Sequence, residues 1–375
     1  MIIYLTYNDQ PSGVYWSQVT DVVEHLNTFR SERVKLVALV SARGYLETRR
    51  SIRSHSPSAW VIPMVPTMAR WRRNVMIMAW VCRILGPKAI IARGVMATWM
   101  ALRVRERKLV QRVCFDGRGA YAAEWEEYRI IDDDALIAQF RPLEQEAVNA
   151  SDFRLAVSNA LVAHWRERYA YSGAAHVVVP CTLGKDLAHV RPKAEGRTVG
   201  ADERIRLVYS GSSAGWQSFE LLERMLVPLL EKDERVDVMF LTRKDPRIEA
   251  LERKFPGRVS SAWFNAAEVG EVLREQDGGI LVRENTVTNQ VSSPTKFAEY
   301  LACGLPVIIS GHIGDLSQAV ERDHLGGVVQ EGSPLPRLER PGAERRAQLM
   351  DYAHAHFTKS AHNTSYTRLL AAMTA

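Results

Sequence analysis

The densest concentration of chemistry in the chain is the stretch Asn289-Gln290-Val291-Ser292-Ser293-Pro294-Thr295-Lys296-Phe297-Ala298-Glu299-Tyr300-Leu301-Ala302-Cys303-Gly304-Leu305-Pro306-Val307-Ile308. A Ser-Ser-Pro loop opens a helix: Ser suits the N-cap, and Pro suits the first turn, where its missing N–H is not needed. The start of such a helix attracts anions, because its first N–H groups are unpaired and its dipole is positive there. Lys296, in the first turn, is misplaced for the dipole unless it meets the same anion. Glu299 lies three residues on and reaches the same ligand from the same helix face. A carboxylate there suits the vicinal hydroxyls of a ribose. Gly304 ends the helix and Pro306 prevents its continuation. The same residues also fit an ordinary capped helix carrying a surface Lys and Glu.

Other ionic groups stand just past strand-like runs, where an open parallel sheet presents its ligand-facing side chains. Arg283 and Glu284 follow 279–282, and Arg243 and Lys244 follow 236–241. Asp116 and Arg118 flank Gly117 after 113–115, and Arg93 follows 89–92. Asp116 and Arg118 could pair with each other structurally, or one could orient an acceptor. Ser12-Gly13 forms a glycine turn after 2–6 but lacks the G-x-G-x-x-G spacing of a dinucleotide site. Asp132-Asp133-Asp134 looks like a metal-binding D-x-D, yet the following residues are helical and the helix dipole explains acidic residues there. The ten His show no metal-ligand spacing, and Cys82, Cys114, Cys181 and Cys303 form no C-x-x-C. No metal and no cofactor is expected.

Short β-branched runs alternate with amphipathic stretches. Strands are expected at 2–6, 34–40, 89–92, 113–115, 153–157 and 176–179, and in the second half at 206–209, 236–241, 259–262, 279–282 and 307–309. Helices are expected between them, among them 15–29, 97–110 and 134–150. This alternation predicts parallel sheets with helices on both faces. It breaks at 184–203, where Pro192, Gly184, Gly196 and Gly200 stand among charged residues, a linker composition. The expected fold class is α/β: two Rossmann-like doubly wound domains facing a cleft. They span 1–183 and 204–340, and helices in 341–375 cross back to the first domain.

The stretch from Pro294 to Val307 resembles the donor-binding segment of GT-B glycosyltransferases, in particular the retaining family 4 and its bacterial polysaccharide subgroup. In that pattern a Ser- or Gly-rich loop meets the donor diphosphate, and a helix Glu followed by A-x-G-x-P-V holds the ribose. Here Glu299 and Ala302-Cys303-Gly304-Leu305-Pro306-Val307 match it. Leu207-Val208-Tyr209-Ser210-Gly211-Ser212 resembles the first strand and glycine loop of the family's nucleotide domain. Phe115-Asp116-Gly117-Arg118-Gly119 with Glu124 is similar to an acceptor-domain element of the same subgroup. The resemblance implies a retaining, metal-independent transferase. Its donor would be bound by Ser12, Gly13, Gly211, Ser212, Ser213, Arg243, Lys244, Phe264, Arg283, Asn289, Ser292, Ser293, Pro294, Thr295, Lys296 and Glu299, with Asp116, Arg118 and Glu284 as catalytic candidates. Phe264 belongs to a loop, Trp263-Phe264-Asn265, of the kind that reads the nucleotide base.

Two departures stand out. An Arg after the glycine loop and a Lys about five residues later, common on the family's diphosphate site, are replaced by Ser213-Ala214-Gly215-Trp216-Gln217. Val291 stands where the first Glu of the family's paired-Glu motif belongs. Arg243, Lys244, Arg283 and Lys296 are the cations left for a diphosphate, which needs charge compensation, and Glu284 is the substitute carboxylate.

Charge separates along the chain. Residues 1–112 hold 18 Lys/Arg against 6 Asp/Glu, whereas the whole chain, with 49 against 43, carries only +6. Arg70, Trp71, Arg72, Arg73, Trp80 and Arg83 surround Val75-Met76-Ile77-Met78, a composition that suits a helix in a membrane interface and equally a core helix. Arg103, Arg105, Arg107, Lys108 and Arg112 add to the basic excess. The expected partners are a nucleotide sugar and a glycan or lipid-linked acceptor, with contact to an anionic membrane through 68–85 and 101–112 and none to nucleic acid. With no signal peptide and no membrane-spanning run, the expected location is the cytoplasm, at the inner face of its membrane. The rival readings are a nucleotide-sugar epimerase or hydrolase of the same fold, and a non-catalytic relative that binds membranes or polyanions.

Overall fold

The computed structural model describes residues 1–188, 204–211, 218–336 and 339–375. They form two compact units, Met1–Pro180 with His362–Ala375, and Cys181–Ala361. The segment read as a linker lies mostly outside the described residues, and Lys185–Ala188 is a helical turn of the second unit.

The first unit is a seven-stranded sheet of β1 (Ile2–Tyr7), β2 (Val34–Val40), β3 (Trp60–Pro63), β4 (Ala89–Arg93), β5 (Arg112–Gly117), β6 (Phe153–Ala156) and β7 (His176–Val178). Its order is β3-β2-β1-β4-β5-β6-β7, and every pairing is parallel. Parallel strands are covered on both faces, so they read as continuous apolar runs rather than alternations. In β1 all six residues are buried. The chain winds outward from β1 to β3, then returns to the other side of β1 and winds out to β7. Connections therefore leave β1 and β4 toward opposite sides of the sheet and open a crevice at their carboxyl ends.

The second unit repeats this plan with β8 (Ile205–Ser210), β9 (Val236–Leu241), β10 (Val259–Ala262), β11 (Gly278–Leu281), β12 (Val307–Ser310) and β13 (Gly326–Val329). The order β10-β9-β8-β11-β12-β13 is again all parallel, with the reversal between β8 and β11.

The chain's end divides between the units. The helix Ala343–Phe357 packs its Leu349, Ala353 and Phe357 into the second core. Phe357 O accepts from Leu183 N–H (2.8 Å). The helix Asn363–Thr374 belongs to the first core, through Tyr366, Leu369, Leu370 and Met373.

Four elements differ from the sequence expectation, one of them the helix expected at 97–110, which spans Val95–Glu106 and stops before Lys108, whose φ is +58°. The helix expected at 15–29 is Gly13–Tyr15, a π-helical turn Trp16–Thr20 and Asp21–Thr28. Thr20 donates its hydroxyl to Trp16 O (2.8 Å), one of the local bonds that Thr offers in competition with the α-helical ladder. The strands β3 and β13 are additional, and both are sheet edges. An edge tolerates Pro63, which donates nothing to a ladder. A Cβ on Gly326 would stand 2.1 Å from Val307 O, so the backbones approach as only glycine permits.

Tyr300, fully buried, fastens the second reversal point. Its hydroxyl accepts from Ser210 N–H (2.8 Å) at the end of β8 and faces Ile280 O on β11 (3.4 Å). Its ring lies over Gly279, where an added Cβ would come within 2.3 Å. Tyr300→Phe leaves Ser210 N–H unpaired and should cost about 1–3 kcal/mol. Gly279→Ala should cost a similar ~1–3 kcal/mol by overpacking. Urea unfolding midpoints check both, and midpoints equal to wild type would remove Tyr300 from this role.

Candidate functional site

Each reversal point gathers polar side chains. In the first unit the centre is Asp116, at the end of β5 and completely buried. It accepts from the Tyr4 hydroxyl of β1. Arg93 Nη1 of β4 lies 3.6 Å from its Oδ2, and Arg118 Nη1 lies 3.5 Å from its Oδ1. A buried carboxylate needs such partners, since its desolvation is otherwise prohibitive. Arg118 also donates from Nη2 to Gln18 Oε1 (2.8 Å). Gln18 sits in the π-helical turn, so that turn aims its amide at the Asp116 cluster. Burial and the facing Asp116 carboxylate push the Tyr4 hydroxyl well above its ordinary value.

Asp9 completes the cluster, and sequence reasoning passed it by. It follows Asn8, whose φ of +58° is uncommon for a non-glycine residue. Its Oδ2 lies 3.6 Å from Arg93 Nε. Among the described residues Asp9 Oδ2 and Arg93 Nη1 are buried without a hydrogen-bond partner, an acceptor and a donor side by side. Burial raises the Asp9 carboxyl to about 6, against the attraction of Arg93 and with the repulsion of Asp116. Burial works against the Arg93 charge, but Tyr4, Asp116, Asp9 and Tyr121 outweigh it and raise its value. A motif at fixed spacing would have flagged Asp9. Its only sequence signal is being the first carboxylate after the first strand.

Behind this cluster, Glu144 is buried and accepts from the backbone N–H groups of Tyr121 (3.1 Å) and Ala122 (2.8 Å) and from the Tyr169 hydroxyl (3.0 Å). It thereby caps the helix Tyr121–Tyr128 that follows Arg118. Burial lifts both Glu144 and Glu124 to about 7. Ser12 and Gly13 stay exposed beyond β1, where Ser12 precedes a short helix without a side-chain cap bond. Asp133 accepts from Leu136 N–H (3.0 Å) as an N-cap, and Arg129 pairs with Asp132 and Asp134, so this acidic run is tied up at a helix start.

In the second unit Arg283 and Glu284 follow β11. Ser310 Oγ accepts from Arg283 N–H (2.9 Å) and donates to Arg283 O (3.0 Å), which fixes the backbone. The Arg283 guanidinium, nearly buried, donates to Asn289 Oδ1 (3.3 Å). Asn289 donates in turn to Glu284 O (3.1 Å). Glu284 accepts from Ser218 Oγ (2.5 Å) at the start of the helix Phe219–Lys232. Arg283, Glu284 and Asn289 are thus one connected group. Gly211 follows β8, its N–H directed to Leu241 O of β9 (3.4 Å), and Ser212 and Ser213 lie outside the described residues.

The Ser-Ser-Pro loop differs from its expected capping role. Pro294 itself occupies the N-cap of the helix Thr295–Ala302, with no side-chain cap bond. Ser292 donates to Asn289 O (2.9 Å), and Ser293 accepts from Cys181 N–H (3.1 Å). Both hydroxyls hold the loop, and the N-cap residue itself offers the helix's first N–H groups no side-chain acceptor. Lys296 and Glu299 share one face and pair at 2.7 Å, both partly exposed. Arg243 and Lys244 are exposed past β9, without an ion pair among the described residues. Phe264 packs against the second core, whereas its neighbour Trp263 is exposed. Among the described residues no group of three or more His, Cys, Asp or Glu is placed to hold a metal ion.

The two sheets and their reversal points define a GT-B glycosyltransferase fold, which similar solved structures share. Sucrose-phosphate synthase from Thermosynechococcus elongatus matches with a TM-score of 0.70 over 99% of both chains, at 15% identity. Anabaena Alr3699/HepE in complex with UDP matches with a TM-score of 0.70 over 99% of both chains, at 11% identity. The lipopolysaccharide outer core galactosyltransferase WaaB, in its apo form, matches at 0.62 and 11% identity over 100% of this chain and 99% of its own. A putative UDP-N-acetylglucosamine 2-epimerase from Listeria monocytogenes also matches, at 0.56 and 11% identity over 98% and 93%. No family model and no curated protein sequence matches the chain.

A carboxyl raised in the folded state binds its proton there before it does in the unfolded chain. Stability linked to Asp9 is therefore present below pH ~4 and lost as pH rises through about 6. Carbon-detected NMR of the Asp9 carboxyl should show a midpoint near 6. Asp9→Asn should flatten this part of the stability profile between pH ~4 and ~6, and a wild-type midpoint near 4 would contradict the raised value of this partly exposed carboxyl.

Proposed function

We propose that the chain is a glycosyltransferase that moves a sugar, with retention and without a metal, from a nucleoside-diphosphate donor to a glycan or lipid-linked acceptor in bacterial surface polysaccharide or glycoconjugate synthesis. The observation that carries this reading is the second unit's reversal point. There a helix start without a side-chain cap bond from its N-cap residue, Lys296, Glu299 and the Arg283–Asn289–Glu284 group follow the strand β11. HepE, with the same fold, was solved with UDP. On this reading the carboxylate of Glu299 holds the ribose hydroxyls. Lys296 and the N–H groups of Thr295 and its successors meet the diphosphate, and Arg283 supports it from β11. As the glycosidic bond breaks, charge builds on the leaving diphosphate, and fixed donors aimed there lower the barrier. Arg243 and Lys244, at the neighbouring strand end, supply the compensation that the replaced glycine-loop cations do not.

The first unit is assigned the acceptor. Its buried Asp116 is fully engaged, so Asp116 and Arg118 act here by positioning Arg93 and Gln18, and the open valences belong to Asp9 and Arg93. The likeness to an epimerase favours one second reading, isomerisation of the nucleotide sugar without an acceptor. NMR of the donor incubated alone separates the two, because an epimerase converts it to a stereoisomer and a transferase without acceptor does not.

A thermal-shift screen with UDP, GDP, TDP, ADP and CMP should yield one nucleotide that stabilises the chain. Glu299→Ala should weaken that nucleotide about tenfold or more, the loss of a hydrogen bond to a charged group. Unchanged affinity would remove Glu299 from the ribose, and neither binding nor turnover with a full panel of nucleotide sugars would refute the proposed activity.

A further inference from the structure

The helix Asn74–Leu85 has two apolar faces where a surface helix has one. Val75, Met78, Ala79, Val81 and Cys82 are buried against the first unit. On the other side Met76, Trp80 and Ile84 are 68, 55 and 52% exposed. A spacing of four residues puts them in one stripe along the helix. They are three of the seven large apolar side chains that the described residues leave exposed, and no other helix carries more than one. Scattered exposed apolar residues are ordinary, but an aligned stripe marks a binding surface.

The charges around the stripe say what it binds. Arg70, Arg72 and Arg73, in the 3₁₀ turn Met68–Arg73 that leads into the helix, are exposed, and so is Arg83 in its last turn. Arg72 lies over the rings of Trp71 (5.1 Å) and Trp99 (5.6 Å), which fixes part of this basic border. Between Glu47 and Glu106 the chain contains no carboxylate at all, and it places eleven Lys and Arg there. A water-facing surface of a soluble domain mixes both signs. The second basic segment is different: Arg103 pairs with Glu106 and Glu146, while Arg105 and Arg112 pair with Asp152. The basic residues of 101–112 are thus largely spent on ion pairs, and the exposed stripe belongs to 68–85.

We propose that the Met76–Trp80–Ile84 face of the helix Asn74–Leu85 docks on an anionic lipid surface, with the three side chains entering the interface and Arg70, Arg73 and Arg83 meeting lipid phosphates. This deepens the proposed function by naming where the acceptor unit meets its partner, and it stands on the first unit alone. Apolar residues on one helix side with cations flanking them fit a helix lying in the plane of a membrane. The partly buried Ile77 and Leu85 widen the apolar face. No helix among the described residues is long and apolar enough to cross a membrane, so contact through this face is peripheral.

Sedimentation of the full chain with vesicles tests the proposal, using phosphatidylcholine alone and phosphatidylcholine with about 30% phosphatidylglycerol, in roughly 0.15 M salt and again at roughly 0.5 M. The chain should sediment with the anionic vesicles, much less with the neutral ones, and less at the higher salt. Replacing all three of Met76, Trp80 and Ile84 by Ser should weaken binding about tenfold or more, and Arg70→Glu with Arg83→Glu should abolish the preference for anionic vesicles. Circular dichroism melting of the variants checks that they are folded. Equal binding by wild type and the Ser variant overturns the proposal. So does an absence of vesicle binding, or a concentration-dependent dimer that the Ser variant dissolves, which would assign the face to a second copy. Vesicle binding without any nucleotide binding would leave this inference standing and refute the transferase reading.

Discussion

A parallel sheet cannot turn back on itself by a hairpin, and this constraint organises both units. Each strand must be followed by a crossover of one hand. When the winding direction reverses, two adjacent strands send their connections to opposite sides. The carboxyl ends of β1 and β4, and of β8 and β11, are therefore left open. Apart from Lys296 and Glu299, which stand on the helix Thr295–Ala302, the charged groups with a claim to chemistry stand at one of these two places or at the next strand end. The fold makes the crevices, and the side chains only furnish them.

The two crevices are furnished differently. In the first unit a carboxylate without exposure, Asp116, is surrounded by Tyr4, Arg93 and Arg118. Removing one partner from a buried charge is costly, because the remaining charge is left uncompensated. That cost makes Asp116 a fixed point, against which Arg93 and, through Arg118, Gln18 take their positions. In the second unit the arrangement is held mainly by neutral groups. Ser310, Asn289, Ser292 and Ser293 tie loops to one another, and Tyr300 ties β8 to the helix Thr295–Ala302. The ion pair Lys296–Glu299 is partly exposed and contributes little to stability.

The basic excess of the first 112 residues also resolves into different uses. Some arginines serve the interior, such as Arg93 beside Asp116, or fasten helices, such as Arg105 on Asp152. Others border an apolar stripe on the surface. Charge totals cannot separate these uses, because an arginine counts the same whether its partner is a carboxylate of the chain or a group outside it. The helix Asn74–Leu85 shows the same limit for hydrophobicity: composition alone does not separate a core helix from an interface helix, and this helix buries one apolar face and exposes another.

The sequence by itself determined the architecture, because continuous apolar runs and amphipathic stretches are local signals with their own periods. The strands at 34–40, 236–241 and 259–262 and the helix at 134–150 were legible to the residue. It also determined the segment from Pro294 to Val307, whose turn residues and spacing are local. Tertiary structure decided what depends on partners distant in the chain. β3 and β13 are strands because an edge tolerates Pro63 and because Val307 presses on Gly326, neither of which has a local signature. Ser293 holds Cys181 instead of capping a helix because the fold brings a residue 112 positions away to it. Asp9 carries no motif, and its carboxyl holds its proton more tightly because of burial and the nearby Asp116, against the pull of Arg93, where three strand ends meet in the folded sheet.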